Sequence, residues 1–211
     1  MNAIETHALT RRFGPRTAVD GLDLTVRQGE QVMLVGRTGA GKSTVFNLLL
    51  GLYQPEAGTV TIGGVDVSRI SDQERRTCIG CVEQHFSRVP GSVLDQITLG
   101  DPQITAAMAK NAAQLAGIDA AVQALPKGYD TVCMEGMFSQ GEWQLLSIAR
   151  AAAADPAVLL LDEITANLDA ETEVRVLEAL RRASEGRTVL SVSHRIYENL
   201  GGRTIEVRAQ A

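Results

Sequence analysis

Through its first third the chain carries short, β-prone apolar stretches, at residues 4–9, 22–26, 31–35 and 59–62. Turn residues separate them, among them Gly14-Pro15, Gly29 and Gly63-Gly64, so this region predicts strands joined by turns. A helical run at 43–52 lies between the last two strands, and 79–82 reads as a further strand. From about residue 90 to 137 the pattern changes. Residues 106–115 are alanine-rich and predict a helix starting at Asp101-Pro102 and ending at Gly117. A second helix is expected from Asp119 to Leu125, broken by Pro126-Lys127-Gly128. The last third alternates helix (141–154), strand (158–161), helix (170–183) and strand (188–193). Such alternation predicts a parallel sheet with helices on its faces.

Composition narrows this picture little. A chain of 211 residues fits one large domain, or one domain with an inserted lobe, and can bury its core without disulfides. Twenty Lys+Arg against 25 Asp+Glu give a net charge of −5 with no long basic run, which disfavours duplex nucleic acid as the main partner. Cys78, Cys81 and Cys133 are too few for a disulfide scaffold. Cys78 and Cys81 match C-x-x-C, but no second pair completes a zinc site, so buried structural cysteines are expected. No apolar run reaches the length of a membrane span, and the N-terminus lacks a signal-peptide pattern. The chain itself is therefore expected to be soluble, with any span supplied by another or a removed segment.

The chemistry begins at Gly36-Arg37-Thr38-Gly39-Ala40-Gly41-Lys42-Ser43, which fits G-x-x-x-x-G-K-[S/T] between an apolar strand and a helix. Glycines let the backbone wrap an anion and turn N–H groups inward, and the helix N-terminus adds a positive dipole end. In this motif Lys42 reaches the β- and γ-phosphates and Ser43 ligates Mg²⁺. The strand at 158–161 ends in Asp162-Glu163, at the carboxyl edge where open parallel sheets bind ligands. Asp162 there suits Mg²⁺, and Glu163 suits polarisation of the attacking water. Alone, an acidic pair after a strand is a helix cap or a solvated turn; beside the phosphate loop the catalytic reading dominates. His194 follows the strand at 188–193, at the same sheet edge, where imidazole suits the γ-phosphate or Glu163 and its water. A lone histidine is otherwise structural.

The order of these motifs resembles the nucleotide-binding domain of ABC transporters over nearly the whole chain. The resemblance rests on Gly36 to Thr44, on Gln84 after Ile79-Gly80-Cys81-Val82-Glu83, and on Phe138-Ser139-Gln140-Gly141-Glu142. It is completed by the strand ending in Asp162-Glu163, by Ala166-Asn167-Leu168-Asp169, and by His194. It implies that Gly36, Arg37, Thr38, Gly39, Ala40, Gly41, Lys42, Ser43 and Thr44 hold ATP, with Phe13 stacked on adenine where the family often has Tyr. It further implies that Gln84 senses Mg²⁺ and water. Ser139, Gly141 and Glu142 would meet ATP bound to a second subunit, and Asp169 would communicate across that dimer. From the residues alone, Phe13 packing in the β lobe and Gln84 capping a strand remain open.

The resemblance implies an α/β fold: a P-loop NTPase core with a parallel sheet and an antiparallel β subdomain (residues 1–89 and 138–211) and an inserted helical subdomain (90–137). It implies an ATPase of the transport-coupled class, using ATP and Mg²⁺. Glu163, His194, Lys42 and Gln84 would be catalytic, and Ser43, Gln84 and Asp162 would hold the metal. The partners are a second ATP-binding domain and a transmembrane permease, at the cytoplasmic face of the membrane. Residues 91–97 and 125–131 resemble export-type members. A non-transport ABC ATPase of DNA or the ribosome, and a nucleotide-binding regulatory module, are the rivals. The signature departs from Leu-Ser-Gly-Gly-Gln at Gln140, which replaces the first Gly, and at Glu142, which replaces the terminal Gln and places a negative charge near ATP. Ser139-x-x-Glu142 is also a capping box. Glu142 is expected to weaken, without abolishing, ATP-driven dimer closure.

Overall fold

The computed structural model describes residues 1–83, 86–162, 168–192 and 201–207. Two sheets form. The first is antiparallel, in the order β2-β1-β4-β5, from β1 (Asn2–Phe13), β2 (Arg16–Arg27), β4 (Ala57–Ile62) and β5 (Val65–Asp66). β1 and β2 extend well beyond the apolar stretches that announce them, because the long hairpin continues by backbone pairing into polar sequence. Gly14, at φ +57°, and Pro15 connect the register pair Phe13 and Arg16. Glycine first, with a residue of fixed negative φ second, suits the II′-type turn that matches strand twist.

The second sheet is wholly parallel, in the order β6-β7-β8-β3-β9. Its strands are β3 (Gln31–Val35), β6 (Ile79–Val82), β7 (Val158–Leu161), β8 (Thr188–Ser191) and β9 (Arg203–Glu206). Every residue of β7 and β8 is buried, as a strand covered on both faces requires. α1 (Lys42–Leu49) follows β3 directly, and α2 (Asp72–Cys78) precedes β6. The α/β class with a parallel and an antiparallel sheet is thus as the sequence implies.

The middle of the chain holds α3 (Val93–Thr98), α4 (Ala106–Ala116) and α5 (Asp119–Gln123). α3 and α4 pack against α6 (Gln140–Ala152), α4 also against α7 (Ala170–Ser184), and α5 against α4, and these helices share one apolar cluster with Leu159, Leu161 and Val189 of the sheet. The alanines of α4 permit this close approach: Ala109, Ala112, Ala113 and Ala116 form its buried face.

Two expectations are corrected, and three elements are added. α4 starts at Ala106, capped by the Thr105 hydroxyl, not at Asp101-Pro102; the Asp101 carboxylate instead accepts from the Gln103 N–H and closes a turn. α2, α3 and β9 were not announced by the pattern; each is short and lacks a long apolar period. The three cysteines are free thiols, as expected, but lie at intermediate depth rather than fully buried. Among the described residues no helix is long and apolar enough to cross a membrane.

Candidate functional site

The loop from Gly36 to Gly41 leaves the carboxyl end of β3 and enters α1. Two of its glycines are required by the fold itself. A Cβ on Gly41 (φ +92°) would lie 2.0 Å from the Ala18 carbonyl oxygen, and one on Gly36 would lie 2.4 Å from that of Val207. The loop is thereby pressed between β2 and the residue after β9. Lys42 folds back over it, its ammonium donating to the carbonyls of Gly36 (2.7 Å) and Arg37 (3.2 Å). The first turn of α1 has no acidic residue and no side-chain cap. Its N-terminus therefore keeps the positive end of the helix dipole, which suits an anion.

Beside this loop opens a cleft of about 500 Å³. It gathers Phe13, Thr38, Gly39, Gly41, Lys42, Ser43, Thr44 and Asp162, which lie far apart in sequence. Gly36, Arg37 and Ala40 belong to the loop without lining the cleft, and Ala40 is buried beneath it. Asp162 comes from the end of β7, where its N–H donates to the Val82 carbonyl at 3.0 Å. Phe13 is 42% exposed, at the rim. Its ring meets Tyr53 edge-on at 5.4 Å, and the Arg11 guanidinium sits 4.9 Å from its centre. Arg16 lines the same cleft and donates to the Gly39 carbonyl at 3.1 Å. Sequence reasoning missed it. Only the hairpin pairing of Phe13 with Arg16 brings an aromatic and a cation to the same loop.

Gln84, Glu163 and His194 lie outside the described residues. Ser139, Gly141, Glu142 and Asp169 are described and are not among the residues lining the cleft. They stand at two helix starts. Ser139 caps α6 in a complete capping box: its hydroxyl accepts from the Glu142 N–H at 3.3 Å, and the Glu142 carboxylate accepts from the Ser139 N–H at 2.8 Å. Asp169 caps α7, accepting from the Thr172 N–H at 3.0 Å, and bonding to Thr172 holds its carboxyl below the usual carboxylate range.

Residues 86–89 are held by side chains of α3 and α6. Phe86 stacks between the Arg150 guanidinium (4.0 Å) and the Trp143 ring (5.1 Å). Arg150 also donates to the carbonyls of Gln96 (2.6 Å) and Ser87 (2.9 Å), and burial pulls its pKa down to about 10. The buried Gln96 amide accepts from the Val89 N–H at 3.0 Å and donates to its carbonyl at 2.7 Å. Nearby, burial pushes the Cys81 thiol up to about 12, with Glu83 and Asp162 adding to the shift, so it stays protonated and unreactive. Among the described residues no cluster of His, Cys, Asp or Glu forms a metal cage.

Comparison with known proteins converges on one family. The sequence model of the ABC transporter family matches residues 19–166. A Bacillus subtilis ABC transporter ATP-binding protein, YfiC, is 41% identical over 83% of this chain and 29% of its own length. The mycobactin import ATP-binding/permease protein IrtB of Mycolicibacterium thermoresistibile is 37% identical over 92% of this chain and 34% of its own. The chain thus spans about a third of these relatives. The solved structure of a bacterial Atm1-family ABC exporter with ATP bound superposes with a TM-score of 0.83 at 31% identity, covering 97% of this chain and 36% of that one.

Proposed function

The chain belongs to the ABC transporter family, as an ATP-binding domain, and on that premise we propose that it is the ATP-hydrolysing motor of a transporter with export-type architecture. The observation that carries this is the cleft in which the Gly36–Ser43 loop, Phe13 and Asp162 meet. In this reading Phe13 stacks on adenine, with Arg11 and Tyr53 steadying its ring. The backbone from Gly36 to Gly41, with Thr44, surrounds the phosphates, and Lys42 exchanges its carbonyl partners for the β- and γ-phosphates. Arg16 supplies a second cation.

Ser43 and Asp162 offer hard oxygen donors in one cleft, a set that fits Mg²⁺, with Gln84 completing it. A Mg²⁺ held by these residues would supply charge neutralisation at the phosphates. Glu163 takes the proton of the attacking water, and His194 orients the γ-phosphate. Residues 90–137 act as a helical lobe that passes the motion to a permease at the cytoplasmic face of the membrane. Two such domains close head-to-tail, so that Ser139, Gly141 and Glu142 of one meet the ATP of the other and Asp169 lies at the contact. The helix-start positions of these residues, away from their own cleft, support that arrangement.

The test is Glu163→Gln, measured as steady-state ATP hydrolysis and as retained nucleotide. Loss of a general base is expected to lower turnover by about 10² to 10⁴-fold while ATP stays bound. Undiminished hydrolysis overturns the assignment of Glu163. A wild-type chain that binds ATP without turnover favours the regulatory-module reading instead.

A further inference from the structure

Gly141 is the second residue of α6 and is buried, yet its φ lies outside the left-handed region. No backbone conformation demands glycine there. Space does. A Cβ at this position would lie 2.1 Å from the Cγ2 methyl of Thr172, with the Thr172 Cβ at 3.5 Å and its Oγ1 at 3.7 Å. Any Cβ there forces the Thr172 side chain or the α6 turn to shift.

Thr172 is the third residue of α7, and its N–H is the donor that the Asp169 cap satisfies at 3.0 Å. A single residue thus ties the Asp169 cap through its backbone and seats the first turn of α6 through its methyl. The Thr172 methyl is the atom set against that turn. The turn it supports is itself locked by the Ser139–Glu142 capping box. We infer that Thr172 is a positioning residue that joins the Asp169 cap and the Ser139–Glu142 turn into one rigid unit, and that Gly141 is glycine to receive it. This rests on the proposed function, in which both turns meet the second domain; a displacement at Asp169 is then carried to the Ser139 turn of the same chain.

A size exchange tests this. In a Glu163→Gln parent, the MgATP concentration for half-maximal dimerisation is measured by light scattering for Gly141→Ala, Thr172→Ser and the double variant. ATP affinity in EDTA and thermal melting are recorded alongside. Misplacing a binding turn by about 1 Å costs up to about 100-fold, so Gly141→Ala is expected to raise that concentration by about tenfold or more. Serine keeps Oγ and loses the methyl, leaving only the contacts at 3.5 and 3.7 Å, which are ordinary. Thr172→Ser alone should stay within about twofold of the parent, and the double variant should return to within about threefold, as expected of two residues coupled by direct contact. Affinity in EDTA, which reads the chain's own cleft, should be unchanged throughout. A Gly141→Ala variant that dimerises normally overturns the inference. So does a double variant that is not restored, or one that melts no higher than Gly141→Ala. A parent that binds ATP but does not pair overturns the proposed function as well.

Discussion

Glu142 is the residue at which charge and architecture are set against each other. Its carboxylate accepts from the Ser139 N–H at 2.8 Å and completes the cap of α6. In the proposed dimer the same charge would oppose the phosphates of ATP bound to the second domain. Glutamine keeps an acceptor oxygen for the cap and removes the charge, so the two roles separate. Glu142→Gln is expected to lower the ATP concentration needed for dimerisation by about tenfold, equivalent to about 1.4 kcal/mol of relieved repulsion, with little change in melting temperature. Light scattering against ATP concentration checks it, and a variant that closes no more tightly than wild type refutes it. At this scale the sequence spoke clearly wherever a residue type has one chemistry, as with Lys42 and Ser43. It was silent on Arg16 and Thr172, because each matters through a neighbour distant in sequence.

At the scale of elements, α3 and α6 are clamped to residues 86–89 by two side chains. Gln96 satisfies both backbone groups of Val89, and Arg150 binds the Ser87 carbonyl while stacking on Phe86. Removing a buried partner leaves the remaining polar groups unsatisfied. Gln96→Ala is expected to destabilise the fold by about 1–3 kcal/mol. Urea unfolding followed by the fluorescence of Trp143, the one tryptophan of the chain, gives the measurement. An unchanged midpoint would show that the clamp contributes nothing. The strongly patterned elements α6, α7, β7 and β8 were legible from sequence, with ends moved by a residue or two, and α4 was legible with its start moved from Asp101-Pro102 to Ala106. α3 was not: six residues hold too little period, and it is fixed by the Ser92–Asp95 capping box and by burial of Gln96 and Ile97.

Across the whole molecule, stability has a pH dependence set by carboxylates that the fold favours ionised. Asp66, Asp95, Asp119 and Asp169 all lie below the usual value of 3.8, and Glu30 and Glu74 below 4.5. The cause in each is a hydrogen bond to the carboxylate: from Ser68, Ser92, Tyr129, Thr172, Arg203 and Ser71 respectively. A depressed folded value means that the unfolded chain binds more protons near these pH values. The stabilisation is therefore complete above the unfolded values and is lost as pH falls through the folded ones. Urea midpoints should be flat with respect to these groups above about pH 5 and should decline from there toward about pH 3. A midpoint that rises on acidification over that range contradicts the assignment. Glu74 and Asp169 are exposed and the other four are half-buried, so solvent screens each contribution and the decline is a sum of many.

The sequence by itself determined the glycine loop after β3, the acidic end of β7, the order of strands and helices from α6 to β8, and the family. Those features are local: a glycine spacing, an apolar run or a cap is written in neighbouring residues. Tertiary structure decided which distant residues meet. It set Phe13 and Arg16 side by side through a hairpin register, and pressed Gly36 and Gly41 against the backbones of Val207 and Ala18. It also gave Gly141 a reason in the methyl of Thr172. A glycine can be required by conformation, by a ligand or by a neighbour, and sequence carries the same letter for all three. Only the position of the neighbouring atoms separates them.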